Sequence, residues 1–414
     1  MALPVTITGI TFPPQNYYFG PFKSSGGNFY TIMRGPSGST KTLRAMKATD
    51  PTSSWAEADA VNNTFVGDQI IVSLWVYQDG DTLHIVTADV LYGGSSTTDI
   101  KYHTFSMATD LWGTKGETVL LDVDNGPGTS PPASCSIGVR SDGDLIVLYN
   151  GDGDALMGTD YTRVDYARKE SGTWTTDVAV DGAGEDHWYG SSLVMGSSDR
   201  AHFFYNNHDL GDVFQRTLTS ANALQAAPTA FDTTAGALFH KFTNGVSFVS
   251  GADTKVRVAY EDSGGLLSIA GFNSADAPTP TIVATGMTAV TVSDVDSSDV
   301  ASMAINGTTQ WLLYVDETTD DLWRDNTGAD NDTWGTDVEL LDAVLIVSLS
   351  CNIYTRSGAT VLGYVSERGA TIYYDEYEIT AAPPTNPEQK FWYRTMNVPG
   401  MRYPVRGLHI GRTW

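Results

Sequence analysis

Apolar and polar residues alternate along most of this chain with a period of two. Residues 82–88, 144–149 and 371–377 are typical, and short runs of Gly, Asp and Ser bound each of them. Such alternation between turn residues predicts half-buried β-strands. Apolar positions that recur every three to four residues are rare, so the pattern predicts an all-β fold without helices.

The predicted strands group into seven repeated units, several of which contain a strand, a polar turn, a tryptophan and an outer strand. From Trp55 to Trp112 is 57 residues, and from Trp112 to Trp174 is 62. The 160 residues from Trp174 to Trp334 hold three further units of about 53 residues each. This period predicts a β-propeller of seven four-stranded blades, with six and eight blades as the alternative counts.

The two ends of the chain differ from the repeats. Residues 3–12 read as a strand without a unit of its own, while the seventh unit lacks an outer strand. We therefore expect the N-terminal strand to complete the last blade, because an open ring would leave sheet edges unpaired. The predicted organisation is a closing strand in residues 1–18, a propeller in residues 19–382 and an extended tail in residues 383–414.

Net charge and cysteine content limit the classes of partner. The chain has 414 residues and a net charge of −25, which argues against nucleic acid and anionic membranes as partners. Cys135 and Cys351 lie far apart in apolar strands, so they are expected to be small buried residues rather than a zinc site or a disulfide. Neither a secretion signal nor a membrane span is expected. No metal or cofactor is predicted, and Asp-rich turns at 294–299 and 325–332 are expected to be solvated rather than to bind Ca²⁺.

The tail has a different composition from the body. Residues 383–414 carry five Lys and Arg residues against one Glu, a net charge of +4, so residues 1–382 carry −29. The tail is rich in proline and aromatic residues, which favours an extended segment that docks on another protein or on a second copy of the chain. The predicted docking residues are Phe391, Trp392, Arg394, Arg402, Tyr403, Arg406 and Trp414.

The strand–turn–tryptophan units resemble those of sialidase-like propellers with Asp-box repeats, although only Thr173-Trp174 and Thr333-Trp334 keep the last two motif residues. The resemblance spans residues 20–381 and implies a fold rather than an activity. Residues 33–36, Met-Arg-Gly-Pro, keep the Arg-x-Pro of the family's first arginine motif without its Phe. The residues that the resemblance would assign to a sialidase site are Arg34, Arg257 and Arg356 for a carboxylate, and Tyr373 or Tyr374 with Glu376 for the nucleophile.

Three functional hypotheses follow. The first is a structural or adhesive virion protein of a tailed bacteriophage, in its tail, collar or capsid, because cell lysis releases such proteins without a secretion signal. It would dock on other virion proteins through the tail and would bind host-surface glycans. The second is a sugar-binding lectin, since Trp and Tyr at blade tips can stack on sugars. The third is a sialidase-like hydrolase, which the missing Phe disfavours, so we expect no enzymatic activity and no catalytic residues.

Overall fold

The fold consists of seven antiparallel sheets. The computed structural model describes residues 3–7, 18–35, 43–61, 69–91, 97–124, 134–151, 163–181, 188–207, 212–232, 244–261, 266–273, 281–291, 301–316, 320–327, 334–342, 344, 346–368 and 371–379. None of these residues forms a helix. Each sheet is one blade of the predicted propeller.

Blades 1 to 4 are built from strands that follow one another in the chain. Blade 1 contains β2 (Tyr18–Lys23), β3 (Phe29–Arg34), β4 (Leu43–Ala48) and β5 (Ala56–Ala58). Blade 2 contains β6 (Gln69–Asp79), β7 (Thr82–Leu91), β8 (Thr97–Ser106), β10 (Glu117–Asp124) and the short β9 (Leu111–Trp112), which also pairs with β8. Blade 3 contains β11 (Cys135–Val139), β12 (Leu145–Gly151), β13 (Arg163–Glu170) and β14 (Thr173–Asp181). Blade 4 contains β15 (Trp188–Met195), β16 (Ala201–Asn207), β17 (Asp212–Leu218) and β18 (Thr229–Asp232).

Blades 5 and 6 repeat this order, whereas blade 7 takes its fourth strand from the other end of the chain. Blade 5 contains β19 (Val246–Ser250), β20 (Asp253–Glu261), β21 (Leu266–Asn273) and β22 (Thr281–Thr291). Blade 6 contains β23 (Ala301–Asn306), β24 (Thr309–Asp316), β25 (Asp321–Asn326) and β26 (Val338–Leu341). Blade 7 contains β27 (Ile346–Arg356), β28 (Ala359–Arg368), β29 (Thr371–Glu378) and β1 (Val5–Thr6).

The N-terminal strand closes the ring, as the sequence predicts. Val5 and Thr6 pair with Tyr374 and Tyr373 of β29, and the Ile7 N–H donates to the Ile372 carbonyl at 2.8 Å. The first strands of the blades contact one another in the order β2, β6, β11, β15, β19, β23, β27 and back to β2. Seven blades therefore form one closed ring, and the predicted fold class is confirmed.

Side chains on, or just before, the first strands connect neighbouring blades. At four junctions, a side-chain oxygen of one blade accepts a backbone N–H from the first strand of the next blade, at 3.0–3.1 Å. With the side-chain acceptor named first and the residue of the backbone donor second, the pairs are Ser73 and Cys135, Asn244 and Met303, Ser302 and Cys351, and Ser350 and Gly20. These bonds satisfy backbone N–H groups on the innermost strand of each sheet, which have no partner within their own sheet. Both cysteines are buried and free, as expected.

Trp55, Trp112 and Trp174 contact the preceding blade, and the four repeat tryptophans lie at different depths. Trp55 and Trp112 are 3% and 6% exposed, whereas Trp174 and Trp334 are half-buried. Trp55 packs on Tyr374 of blade 7, and the backbone N–H of Trp112 donates to the Asp59 carboxylate of blade 1 at 3.0 Å. Equivalent positions in the repeat are therefore not equivalent in burial.

Candidate functional site

The three arginines that the family resemblance implies lie in three different blades. Arg34 ends β3, Arg257 lies within β20 and Arg356 ends β27. Arg34 and Arg257 are buried, and Arg257 donates to the backbone oxygens of Val256 and Phe272 at 2.9 and 2.7 Å. The guanidinium of Arg257 therefore binds its own blade instead of a ligand.

Tyr374, Glu376 and Arg356 do come together, at the contact between blades 7 and 1, which we call the closure junction. The Glu376 carboxylate accepts hydrogen bonds from the Tyr374 hydroxyl at 2.5 Å, from Arg356 Nε at 3.0 Å and from Arg356 Nη2. The hydroxyls of Tyr354 and Tyr374 also form a hydrogen bond. Arg356 Nη1 lies 3.6 Å from the Asp50 carboxylate of blade 1, so this arginine connects the last blade to the first.

Aromatic packing fills the rest of the closure junction. The ring centroids of Trp55 and Tyr374 are 5.8 Å apart, and those of Phe29 and Tyr354 are 4.9 Å apart. Burial, followed by the charge and hydrogen bonds of Tyr354 and Glu376, raises the pKa of Tyr374 far above its ordinary value. The Tyr374 ring thus packs on blade 1, while its hydroxyl donates to Glu376 within blade 7. Tyr373, the alternative residue, also lies on β29, where it pairs with Thr6 of β1.

The predicted docking residues of the tail, from Phe391 to Trp414, lie outside the described residues. The described residues end at Ile379, whose N–H donates to the Thr360 carbonyl at 2.8 Å. This bond extends the pairing between β28 and β29 in blade 7. Docking through residues 383–414 therefore stays a prediction.

An open site lies on the face of the ring that carries the turns between the first and second strands, which we call the turn face. Serines on this face bond to the turn of the next blade. Ser25 of blade 1 donates its N–H at 2.6 Å and its hydroxyl to the Asp81 carboxylate of blade 2. Ser141 of blade 3 donates in the same way to Asp199 of blade 4, at 2.8 and 2.5 Å. Such bonds hold neighbouring turns together.

The junction between blades 2 and 3 has no such bond among its described turn residues and opens into a cavity of about 450 Å³, the 2–3 cleft. Strands β7 and β8 of blade 2 form one wall, and the two turns of blade 3 form the other. The lining residues are His84, Tyr102, Asp142, Gly143, Asp144, Leu145, Lys169, Ser171 and Gly172. The volume lies in the range of small-molecule binding sites.

The lining of the 2–3 cleft includes an ammonium group. The Nζ atom of Lys169 lies 2.7 Å from the Glu117 carboxylate and 5.1 and 5.6 Å from the ring centroids of Tyr102 and Trp174. Glu117 also accepts the Trp174 Nε1–H at 2.9 Å. Because an ammonium has three N–H donors and one carboxylate partner, Lys169 is fixed in place and keeps donor capacity toward the cleft.

A histidine–tyrosine pair lies beside this lysine. His84 Nδ1 is 2.8 Å from the Tyr102 hydroxyl, and the two rings are stacked at a centroid distance of 6.1 Å. Burial, partly opposed by Asp79, lowers the pKa of His84, so the imidazole is neutral at physiological pH. The pair can therefore both donate and accept hydrogen bonds without adding charge.

Two carboxylates, on the turn between β11 and β12, also line the cleft. Asp142 accepts the Asp144 N–H at 3.0 Å, and within the described residues no hydrogen bond or ion pair engages the Asp144 carboxylate. Desolvation, followed by repulsion from Asp142 and Glu170, raises the pKa of Asp144 above its ordinary value. Asp142 and Asp144 thus place acidic groups on the blade 3 wall of the cleft.

A second cavity, of about 630 Å³, lies between blades 1 and 2 on the same face. Lys23, Gln78 and Asp81 are among its lining residues. Here the acidic group is occupied, because Ser25 donates both its N–H and its hydroxyl to Asp81. The 2–3 cleft is therefore the better candidate site, since its carboxylates are available to a ligand.

Sequence reasoning missed the 2–3 cleft, although its acidic residues were visible as Asp-Gly-Asp turns. Within the described residues, no group of three or more His, Cys, Asp or Glu side chains is arranged to hold a metal ion. No helix of the described chain is long and apolar enough to cross a bilayer.

No family model matches this sequence, and no curated protein matches it either. Among solved structures, an α-L-arabinanase of Penicillium chrysogenum has 13% identity and a TM-score of 0.47, with 83% of this chain and 99% of that chain covered. The Aleuria aurantia lectin, a six-bladed propeller that recognises fucose, has 12% identity and a TM-score of 0.45, covering 80% and 97%. Prolyl oligopeptidase B of Galerina marginata has 9% identity and a TM-score of 0.46, covering 90% and 50%. At these identities and scores the likenesses carry no argument about function.

Proposed function

We propose that this chain is an adhesive propeller that binds a glycan in the 2–3 cleft. The observation that carries the proposal is the set of groups around this cavity: an ammonium, a neutral imidazole, a phenol, a serine hydroxyl and two carboxylates. Each hydroxyl of a sugar donates one hydrogen bond and accepts others, so it requires donors and acceptors in the same small space. The cleft provides both.

The proposed role is binding without hydrolysis. Glycoside hydrolases place two carboxyl groups on either side of the bond that they cleave, commonly about 5 to 9 Å apart. Asp142 and Asp144 lie on the same turn, so they do not face each other across the cleft. Glu117, on the other side, is held by Lys169 and Trp174 and does not line the cavity.

The virion part of the hypothesis concerns where this binding takes place. We propose that the chain is carried on a virus particle, docked through residues 383–414, with the turn face directed at the host surface. Support for this part comes from the sequence: the basic, aromatic tail on an acidic body and the all-β repeat. Purified phage particles probed with an antibody against the propeller would test it.

A glycan array with the full chain tests the binding proposal. We expect selective binding of a limited set of glycans, lost at least tenfold in Lys169→Met because that change removes donors from the lining of the cleft. Asp253→Asn is the matched control, since Asp253 is an exposed aspartate at the start of β20, next to the corresponding turn of blade 5. Failure to bind any glycan, or equal loss in both variants, would contradict the proposal, as would release of reducing sugar from a bound glycan.

A further inference from the structure

We infer that residues 383–414 of one copy of this chain dock on the outer surface of blade 6 in a second copy. This surface, which we call the blade 6 rim, consists of β25 and residues 334–342. The inference rests on the proposed docking through residues 383–414 and goes further, because it names both the surface and the partner.

The blade 6 rim belongs to the most acidic outer half among blades 1 to 6. From the start of its third strand to the end of its fourth, residues 321–341, blade 6 has six acidic residues against one arginine, a net charge of −5. The corresponding stretches of blades 1 to 5 carry net charges between 0 and −3. Residues 383–414 carry +4, so the tail and the rim are complementary in charge.

The apolar side chains of the rim are only partly covered. They pack on the hydrophobic core that blades 5, 6 and 7 share, and β26, the outermost strand of its sheet, leaves them partly exposed. These side chains are Trp323, Trp334, Leu340 and Leu341. Aromatic residues that fill apolar surfaces are the usual anchors of protein interfaces, and the tail carries such residues. The predicted aromatic anchors are Phe391, Trp392, Tyr403 and Trp414.

The described chain reaches blade 6 just before the tail begins. The Tyr377 hydroxyl accepts a hydrogen bond from Arg324 Nη2 of β25 at 2.8 Å, and the Arg324 Cζ atom lies 4.2 Å from the centroid of the Tyr377 ring. Ile379 packs on the same hydrophobic core as the rim. Since β1 already completes blade 7, the tail is not required as a strand of that sheet. The tail therefore starts beside a surface that every copy of the chain presents.

The composition of the linker favours the rim of a second copy over that of the same chain. Residues 381–387 contain three prolines, a composition typical of an extended spacer. At about 3.1 Å per residue, this spacer spans roughly 20 Å. The four residues of β26 span only about 13 Å, and the rim of the same chain begins beside Tyr377. The spacer thus carries the anchors beyond their own rim, and identical chains would be linked head to tail.

Light scattering after size-exclusion chromatography of the full chain tests the inference. At 150 mM salt, we expect a wild-type mass of two or more chains. The rim variant, Glu339→Lys with Asp342→Lys, should be monomeric, because it places two ammonium groups at exposed positions where the basic tail docks. The matched control, Asp177→Lys with Asp253→Lys, changes the net charge equally at exposed positions of blades 3 and 5, and it should associate like wild type.

A mixture of two variants shows whether docking occurs between copies. The tail variant, Arg394→Glu with Arg402→Glu and Arg406→Glu, should be monomeric on its own, because its tail is no longer basic. The rim variant keeps an intact tail, and the tail variant keeps an intact rim. Mixed together, the two monomeric variants should form a complex with the mass of two chains. A tail that docks on its own chain would leave the mixture monomeric.

The outcomes separate this inference from the function on which it rests. A monomeric wild-type chain would overturn it, and if an antibody still found the propeller on the particle, the tail would dock on another virion protein. A mixture that stays monomeric, or a control that dissociates as the rim variant does, would also overturn it. Both variants should bind the glycan array as wild type does, because no residue of blade 6 lines the described 2–3 cleft. Loss of glycan binding by the associated wild-type chain would remove only the glycan proposal.

Discussion

The closure junction and the junction between blades 2 and 3 use the same kinds of residue for opposite purposes. At each, a glutamate binds a cation and an aromatic donor: Glu376 with Arg356 and Tyr374, and Glu117 with Lys169 and Trp174. In the first case the Glu376 side chain is 8% exposed and aromatic rings fill the space. In the second, the Glu117 side chain is 31% exposed and a cavity lies beside the pair.

The comparison shows that the repeat places similar residues at the junctions between blades, although only some of these junctions must hold the ring together. The closure junction joins the two ends of the chain, so it is filled and its polar groups are bonded to each other. The 2–3 junction lies between two blades that follow one another in the chain, so an opening there costs less stability. Polar groups at this junction can therefore remain available to a ligand. Three predictions test this contrast.

The largest effect is expected from removing the closing strand. Deleting residues 1–12 would leave β29 as an unpaired edge and expose Tyr374, so the variant should aggregate or lose much of its melting temperature. Truncation after residue 382 is the control, and it should leave a folded propeller. Thermal unfolding with light scattering measures both, and a soluble deletion variant with unchanged melting would show that β1 does not close the ring.

A smaller, graded effect is expected from the repeat tryptophans. Trp55→Ala removes an indole that is 3% exposed, so it should cost about 3–5 kcal/mol of unfolding free energy. Trp174→Ala removes a half-buried indole beside the open cleft and should cost less than about 2 kcal/mol, because less apolar surface is lost. Urea denaturation measures both costs. Equal costs would mean that the two junctions are packed alike.

The fold was predictable because its signal is local and repeated. Alternating strands, turn residues and tryptophan spacing predicted the seven blades, and the orphan strand at residues 3–12 predicted the closure. The serine bonds between first strands were not predicted, although Ser73 and Ser302 stand in the first strand of their units. Their partners lie about 50 to 60 residues further along the chain. The alternation of apolar and polar residues does not predict contacts between residues so far apart in the sequence.

The candidate site was not predictable for a related reason. Ser141-Asp-Gly-Asp144 reads as an ordinary turn, and its serine does bond to the next blade. Whether the turn also borders a cleft depends on the preceding blade. In blade 2 the corresponding turn residues, Gly80 and Asp81, include no serine that could bond to blade 3. The resemblance brought Tyr374 and Glu376 to attention as the pair that a sialidase site would use, and the structure places this pair in the closure junction.

The smallest effect is expected from the two glutamates themselves. Glu376→Gln removes the charge that Arg356 pairs with and weakens the acceptor of the Tyr374 hydroxyl, so it should cost roughly 1–3 kcal/mol. Glu117→Gln acts on a pair that solvent reaches, where screening limits the loss to below about 1 kcal/mol. The two effects should also differ in their response to salt. Raising the ionic strength to 1 M shortens the Debye length to about 3 Å, which should abolish most of the Glu117 effect but little of the buried Glu376 effect. Urea denaturation of both variants at low and high salt measures this, and a Glu117 effect that is equally large and equally insensitive to salt would mean that the 2–3 junction, too, is a sealed structural joint.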